Sequence, residues 1–346
     1  MNRVGVAVIG CGAVGSRRAR AAAANERTVL RVVVDSDARR ASALAAELRV
    51  DSAENWREAI ARPDVICVAV CTPIALLIPI GISALRMGRH VLIEKPLGRN
   101  GTEARAVAAE ARRAGTVLKV GFNSRYRPAL TRAYEMYREG VIGRLMQLSA
   151  RSGNRGRPDV EREWRADAEL AGGGELLGAG VDIVDLFQWF AGPAVRAQAE
   201  LQSALWDLGR LEDNAFGILR YGAGVVGQFH VSMTQWQDRF TFEANGDLGT
   251  LTLESREPDA DILTVTRRGA TGSRPAVDTV VIDNTVSSWT AEWDDFAAAI
   301  HGDSLRHGLP GEGLQIMATV DALYAAARSG SAVAIAPAAP HNVSAR

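Results

Sequence analysis

A chain of 346 residues is longer than one hydrophobic core ordinarily organises, so two domains are expected. Its 40 basic residues balance 40 acidic ones, which gives no electrostatic reason for a nucleic-acid partner or a membrane surface. The three cysteines lack metal-ligand spacing, so no metal is expected and buried reduced thiols in a cytoplasmic protein are.

The first element is an apolar strand, Val4 to Ile9. It runs into Gly10-Cys11-Gly12-Ala13-Val14-Gly15 and then into an alanine-rich helix former ending at Ala24. Strand, glycine turn and helix is the context that G-x-G-x-x-G needs before it indicates dinucleotide binding. Gly10 suits the tight turn, Gly12 lets the backbone approach a pyrophosphate, and Gly15 lets helix and strand pack closely. The helix start, with Ala13 and Val14, offers free N–H groups and a positive dipole end to phosphates. A second strand near 29–34 ends at Asp35, placed to accept from the adenosine ribose hydroxyls. That acid repels a 2′-phosphate and favours NAD. Ser36, Arg39 and Arg40 follow closely and keep NADP possible.

Strands near 65–70, 90–94 and 116–121 continue the alternation, with helices near 37–48, 76–87 and 101–114. The pattern predicts an α/β fold, a Rossmann domain over 1–122 with a doubly wound parallel sheet. Ligands are expected beyond its carboxyl strand ends, where Thr72-Pro73, Glu94-Lys95-Pro96 and Gly121-Phe122-Asn123 fall. Val65 to Leu85 is uncharged and long enough to span a bilayer, but Thr72-Pro73, Pro79 and Gly81 interrupt it, so it reads as a buried strand and a turn. The N-terminal apolar run is too short for a secretory leader. Only Lys95 and Lys119 among the 40 basic residues are lysines. In a chain that otherwise uses arginine, Lys95 suggests a task that needs a compact ammonium able to donate to a hydroxyl.

After Arg127 the texture changes. A helix over 128–139 and a strand over 144–151 precede a polar loop, Ser152 to Arg165. A second cluster, Gly172-Gly173-Gly174, then opens a long apolar helix over 175–190. From 195 to 283 short alternating segments read as antiparallel strands, and helices near 289–301 and 311–328 follow before a frayed end. The prediction is a C-terminal α+β domain, 123–346, built on a largely antiparallel open sheet. Its free face would form a homodimer or homotetramer contact.

These motifs resemble the glucose-fructose oxidoreductase / inositol dehydrogenase / rhizopine-catabolism (Gfo/Idh/MocA) family. The residues that carry the resemblance are Gly10 to Gly15, Asp35, Thr72-Pro73, Gly88 to Leu97 with Glu94-Lys95-Pro96, Gly121-Phe122-Asn123, Ile142-Gly143 and Gly172-Gly173-Gly174. The likeness runs from about residue 4 to 335. It implies NAD(P)-dependent hydride transfer on a sugar, cyclitol or related polyol, with Lys95 beside nicotinamide and substrate and often a cis bond before Pro96. Cofactor contacts are expected from the glycine turn, Asp35, Ser36, Arg39, Thr72, Pro73, Glu94 and Lys95.

The chain departs from the family where an aspartate and then a histidine are usual after the glycine cluster. Those places hold Gly178 and Asp182, while Asp185 matches. On a helix, Glu175, Gly178, Asp182 and Asp185 fall within about 80° of arc on an otherwise apolar surface. The acids are read as lining a cavity, against a structural ion pair with an arginine. Asp182 is expected as proton acceptor with Lys95 polarising the hydroxyl. A rival assignment makes Lys95 the acceptor and gives Asp182 and Asp185 to substrate. Asn123, Trp164, Asp185 and Glu175 are the substrate-binding candidates, with Tyr126 and Tyr221 weaker candidates for the chemistry. Arg125, Asn154, Arg155, Arg157 and Arg165 are expected around the pocket mouth. Paired carboxylates would favour a cationic ligand, hence an amino-sugar or aminocyclitol. His230 reads as a surface or interface residue, His90 as structural, and His301, His307 and His341 as exposed. An enzyme that recycles NAD internally and a non-catalytic NAD-binding homologue stay open as alternatives.

Overall fold

Two sheets organise the chain in a computed structural model that describes residues 3–257, 260–270, 273–283 and 287–336. The first sheet holds six parallel strands in the order β3-β2-β1-β4-β5-β6: β1 (Val4–Ile9), β2 (Thr28–Val34), β3 (Asp51–Ala53), β4 (Cys67–Val70), β5 (His90–Glu94) and β6 (Leu118–Gly121). Helices α1 (Ala13–Ala24), α2 (Ala38–Leu48), α3 (Trp56–Ala61), α4 (Ile74–Arg86) and α5 (Gly101–Ala114) connect them. Strands β4 and β6 are buried at every position, as a parallel sheet covered on both faces requires. Asp37 caps α2 through the Arg39 N–H, and Asn100 caps α5 through Thr102 and Glu103. The short β3 and α3 lack a readable period, and the sequence pattern passes over them. Pro79 lies inside α4 without ending it, because Leu77, Ile78, Ile80, Gly81, Ala84 and Leu85 are buried and outweigh one lost backbone bond.

The expected boundary at 122/123 needs a correction at the C-terminal side. Residues 3–123 form one compact unit together with Trp289–Leu314, so the helix α9 (Ser288–Ile300) returns to the first unit. Trp293 and Phe296, both fully buried, pack there with Val6, Val8, Ala19, Val33 and Leu92. Each such aromatic contributes about 1.5–3 kcal/mol through burial, which explains why the chain comes back.

The second unit takes residues 124–288 and 315–336. It contains α6 (Pro128–Arg138), the single turn α7 (Ala168–Ala171), α8 (Val181–Ala191) and most of α10 (Pro310–Ser329). Its nine-stranded sheet runs β14-β13-β12-β11-β7-β10-β9-β8-β15. The strands are β7 (Leu145–Gly153), β8 (Ala194–Gln202), β9 (Asn214–Tyr221), β10 (Val226–Ser232), β11 (Arg239–Gly246), β12 (Gly249–Glu257), β13 (Ala260–Arg267), β14 (Ala276–Asp283) and β15 (Val333–Ala334). Only the central pair β7/β10 is parallel. The aromatic rings of α8 cover one face: Phe187 meets Phe229 and Phe242, and Phe190 meets Phe242 at 4.9 Å between centroids. The other face alternates polar and apolar groups around a shallow cavity of about 470 Å³ lined by Arg151, Glu200, Phe216, Ile218, Gln228 and His230. Among the described residues no helix is long and apolar enough to cross a membrane. The expected frayed end and His341 lie outside the described residues.

Candidate active site

The carboxyl ends of β2, β1, β4 and β5, neighbours in the first sheet, bring the motif residues to one edge. Gly10 has φ +99°, and a Cβ on Gly15 would fall 1.7 Å from the Gly10 carbonyl oxygen. A Cβ on Gly12 would meet nothing within 4 Å. The protein's own packing thus dictates Gly10 and Gly15 but not Gly12, whose bare backbone leaves room for a ligand. No side chain caps α1, so the N–H groups of Ala13, Val14 and Gly15 are those that a dinucleotide pyrophosphate would take.

Asp35 accepts the Cys11 N–H at 2.8 Å on one oxygen and the Asp37 N–H at 2.9 Å on the other. It ties the glycine loop to the end of β2, and each oxygen keeps a second acceptor position for ribose hydroxyls. Ser36 is exposed, and Arg39 and Arg40 pair with Asp37 at 3.5 and 3.7 Å on a solvated helix start. That pairing takes both guanidinium groups to the cap of α2 and fits NAD better than NADP. Pro73 stands at the N-cap of α4, and the buried Thr72 hydroxyl has no hydrogen-bond partner among the described residues.

Glu94 is held in a buried ion-pair cluster. Its carboxylate lies 2.5 Å from the Arg18 Nε, and Arg18 reaches Glu292 of α9 at 2.6 Å. All three side chains are nearly or fully buried, and the Trp289 ring stacks on the Arg18 guanidinium at 4.6 Å. Burial pushes the Glu94 carboxyl above the ordinary carboxylate range, against the pull of Arg18. Lys95 follows at the strand end, half-buried, and the Lys95–Pro96 bond is cis. The second lysine, Lys119, is fully buried between Asp295 (2.9 Å) and the His307 carbonyl (2.5 Å), so its retention is structural. Asn123, half-buried, opens a 3₁₀ turn after β6.

In the second unit the acidic stripe is broken. Asp185 is fully buried in a two-bonded pair with Arg125, at 3.0 and 2.6 Å. The structural ion pair, not the cavity, is its role, and Arg125 leaves the expected pocket mouth with it. Leu176–Gly180 is wound as a π-turn before α8 begins at Val181. The wider turn shifts Glu175 and Gly178 out of the helical phase that an unbroken α-helix would give them relative to Asp182. Asp182 is half-buried, Gly178 is exposed and Glu175 is 8% exposed. Trp164 is half-buried under the Arg165 guanidinium at 4.3 Å. Arg165 and Arg157 both pair with Glu163, and Asn154 caps the Gly156 N–H. Tyr126 and Tyr221 are core residues at 7% and 3% exposure. His230 stacks on Phe216 at 4.1 Å and faces Asn214 at 3.0 Å, while His90 accepts the Val117 N–H. His301 and His307 are half-buried rather than exposed.

Sequence reading missed Arg18, Glu292, Glu212 and Tyr324. Glu292 and Asp295 one turn apart beside Trp293 and Phe296 were a readable sign of buried acids. Nothing local marked Tyr324.

A parallel sheet with an open glycine loop, joined to a second unit on a mixed sheet, defines an NAD-binding oxidoreductase. The chain belongs to the Gfo/Idh/MocA family: residues 4–122 match the oxidoreductase family with an NAD-binding Rossmann fold, and residues 130–252 match the GFO/IDH/MocA C-terminal domain. A 1,5-anhydro-D-fructose reductase of Ensifer adhaerens is 30% identical over 311 residues, 88% of this chain and 90% of that protein. A levoglucosan dehydrogenase solved in complex with NADH shares the fold at TM-score 0.88 and 24% identity, over 97% of this chain and 100% of that one. GenD2 from gentamicin A biosynthesis, solved in complex with NAD, is 27% identical with TM-score 0.83 over 97% of each chain.

Proposed function

We propose that the chain is an NAD-dependent dehydrogenase that moves a hydride between nicotinamide and a hydroxyl-bearing ring carbon of a neutral sugar or cyclitol. The observation that carries this reading is the strand-end series in the first unit: an uncrowded Gly12, Asp35 on the glycine loop, the Thr72 hydroxyl and Lys95. When bound, NAD supplies the hydride acceptor. Lys95 donates to the substrate oxygen and lowers the cost of the charge that builds there as the proton leaves. Asp182 takes that proton, and Asn123, Trp164 and Glu175 contact the ring. An isolated aspartate titrates near about 3.9, roughly three units too acid for a base at neutral pH, so the ammonium must lower the hydroxyl's own proton affinity.

The amino-sugar expectation loses part of its support, because Arg125 pairs with Asp185 and takes that carboxylate out of the proposed pair with Asp182. The substrate named for the Ensifer adhaerens relative, an anhydro sugar, also supports a neutral ring. Release of NADH on adding a sugar from a broad panel tests the reading. Turnover without net NADH would select internal recycling, and NADH binding without any turnover a non-catalytic role. An amine analogue oxidised faster than its hydroxyl counterpart would restore the amino-sugar. Full activity in Asp182→Asn would move the base role to Lys95. The outer sheet face around Phe216 and Ile218, 42% and 48% exposed, is proposed as a homo-oligomer contact, which mass from light scattering checks.

A further inference from the structure

Glu212, before β9, and Tyr324, in α10, converge on the start of the segment that carries Asp182. The Glu212 Oε1 accepts the N–H groups of Gly174 and Leu176, both at 3.1 Å, and the Tyr324 hydroxyl at 2.7 Å. The Glu212 backbone carbonyl accepts the intervening Glu175 N–H at 2.9 Å. Three successive N–H groups of a first helical turn, the ones a helix cannot satisfy internally, therefore end on one residue that is 6% exposed. A carboxylate in that place also meets the positive end of the helix dipole. The two side chains dictate the glycines above them. A Cβ on Gly173 would lie 2.2 Å from the Tyr324 hydroxyl oxygen, and one on Gly174 would lie 2.1 Å from the Glu212 carbonyl oxygen.

We propose that Glu212 and Tyr324 are positioning residues that clamp the glycine turn and thereby hold the π-turn Leu176–Gly180 in front of Asp182. The proposal rests on the reading in which Asp182 takes the substrate proton. A π-turn carries one residue more than an α-turn and is a rare arrangement, mostly found as a single turn within an α-helix and frequent at functional sites. Relaxation to α geometry would swing Glu175, which precedes the π-turn, by up to about 100° relative to Asp182, and Gly178, inside it, by less. The clamp sets the face that the segment offers to a sugar, and the fold of the sheet does not depend on that choice.

The test compares Tyr324→Phe, Glu212→Gln and Glu212→Ala with wild type. It reads sugar KM, kcat, NADH affinity and amide hydrogen exchange over residues 173–180. Tyr324→Phe is expected to raise sugar KM and lower kcat, together about tenfold in kcat/KM, the equivalent of one lost hydrogen bond. NADH affinity should stay unchanged and exchange should quicken. Glu212→Gln, which keeps an acceptor oxygen, should retain several-fold more activity than Glu212→Ala. Gly173→Ala should impair turnover, and adding Tyr324→Phe to it should restore part of the loss by removing the colliding oxygen. Folded variants with wild-type sugar kinetics, or a parallel loss of NADH affinity, overturn the clamp. Full turnover in Asp182→Asn rejects the base assignment alone. In that event amide exchange decides the clamp: unchanged exchange in Tyr324→Phe overturns it and faster exchange supports it.

Discussion

The two glycine clusters, Gly10 to Gly15 and Gly172 to Gly174, look alike in sequence and are opposite in construction. Both precede a helix. At the first, Gly12 is uncrowded and no side chain caps α1, so its N–H groups are left for a ligand to take. At the second, Glu212 already occupies the corresponding N–H groups, and Tyr324 and Glu212 fill the space that side chains would need. One cluster awaits an anion; the other contains its own. Glycine in a helix-opening turn therefore signals backbone approach, and only the surroundings say whether the approaching group is ligand or protein.

The largest expected effect lies at the open cluster's edge of the sheet. Lys95→Met should lower kcat by about 10²- to 10⁴-fold, the range for a positioned proton-handling group, with NADH affinity and the unfolding midpoint near wild type. Retained turnover in that variant would break the link between the open cluster and catalysis. Next come the buried pairs that each unit uses away from its glycines. Asp185→Ala removes the carboxylate that takes two bonds from the buried Arg125 and should cost about 3–5 kcal/mol in urea unfolding. Glu292→Ala leaves Arg18 paired with Glu94 and should cost less. A loss under about 1 kcal/mol in Asp185→Ala, the size of an exposed pair, would show that water reaches that site.

The glycines themselves give the direct contrast. Gly15→Ala and Gly174→Ala force a Cβ against backbone oxygen and should destabilise by at least about 1–3 kcal/mol. Gly12→Ala should leave stability unchanged and weaken NADH binding by about tenfold, or 1.4 kcal/mol. Equal stability losses at Gly12 and Gly15 would erase the distinction.

The parallel sheet, the glycine loop, Asp35 and the strand-end place of Lys95 were legible because local period and turn chemistry encode them. Helix α9 returning to the first unit was not, since nothing near Trp293 and Phe296 names the surface that buries them. Asp185 was misread for a related reason. Helical spacing put it on a stripe with Asp182, but its partner Arg125 is 60 residues away in sequence, where no local pattern shows it. Glu94 shows the same limit: its ion-pair neighbour, Arg18, is 76 residues away and visible only in three dimensions.

The smallest effects separate two adjacent acids beside the closed cluster. Burial raises the Asp213 carboxyl's pKa, but N–H groups from Ala204, Leu205 and Trp206 and the Asn214 amide outweigh it, so the net shift is downward. Burial of Glu212 wins over its own donors, and its shift is upward. The signs follow from linkage. Asp213 contributes stability present above its unfolded value of about 3.9 and lost as pH falls through its lower folded value. Glu212 contributes stability present below its unfolded value of about 4.3 and lost as pH rises through its higher folded value. Each slope is bounded at about 1.4 kcal/mol per pH unit for one proton. Urea unfolding across acid pH should accordingly show Asp213→Asn removing part of the fall below pH of about 4. Glu212→Gln should remove part of the fall above it. If the two variants altered the same limb, the carboxylate of Glu212 would be as well solvated by its donors as that of Asp213. The closed cluster would then hold its internal anion at no cost in burial.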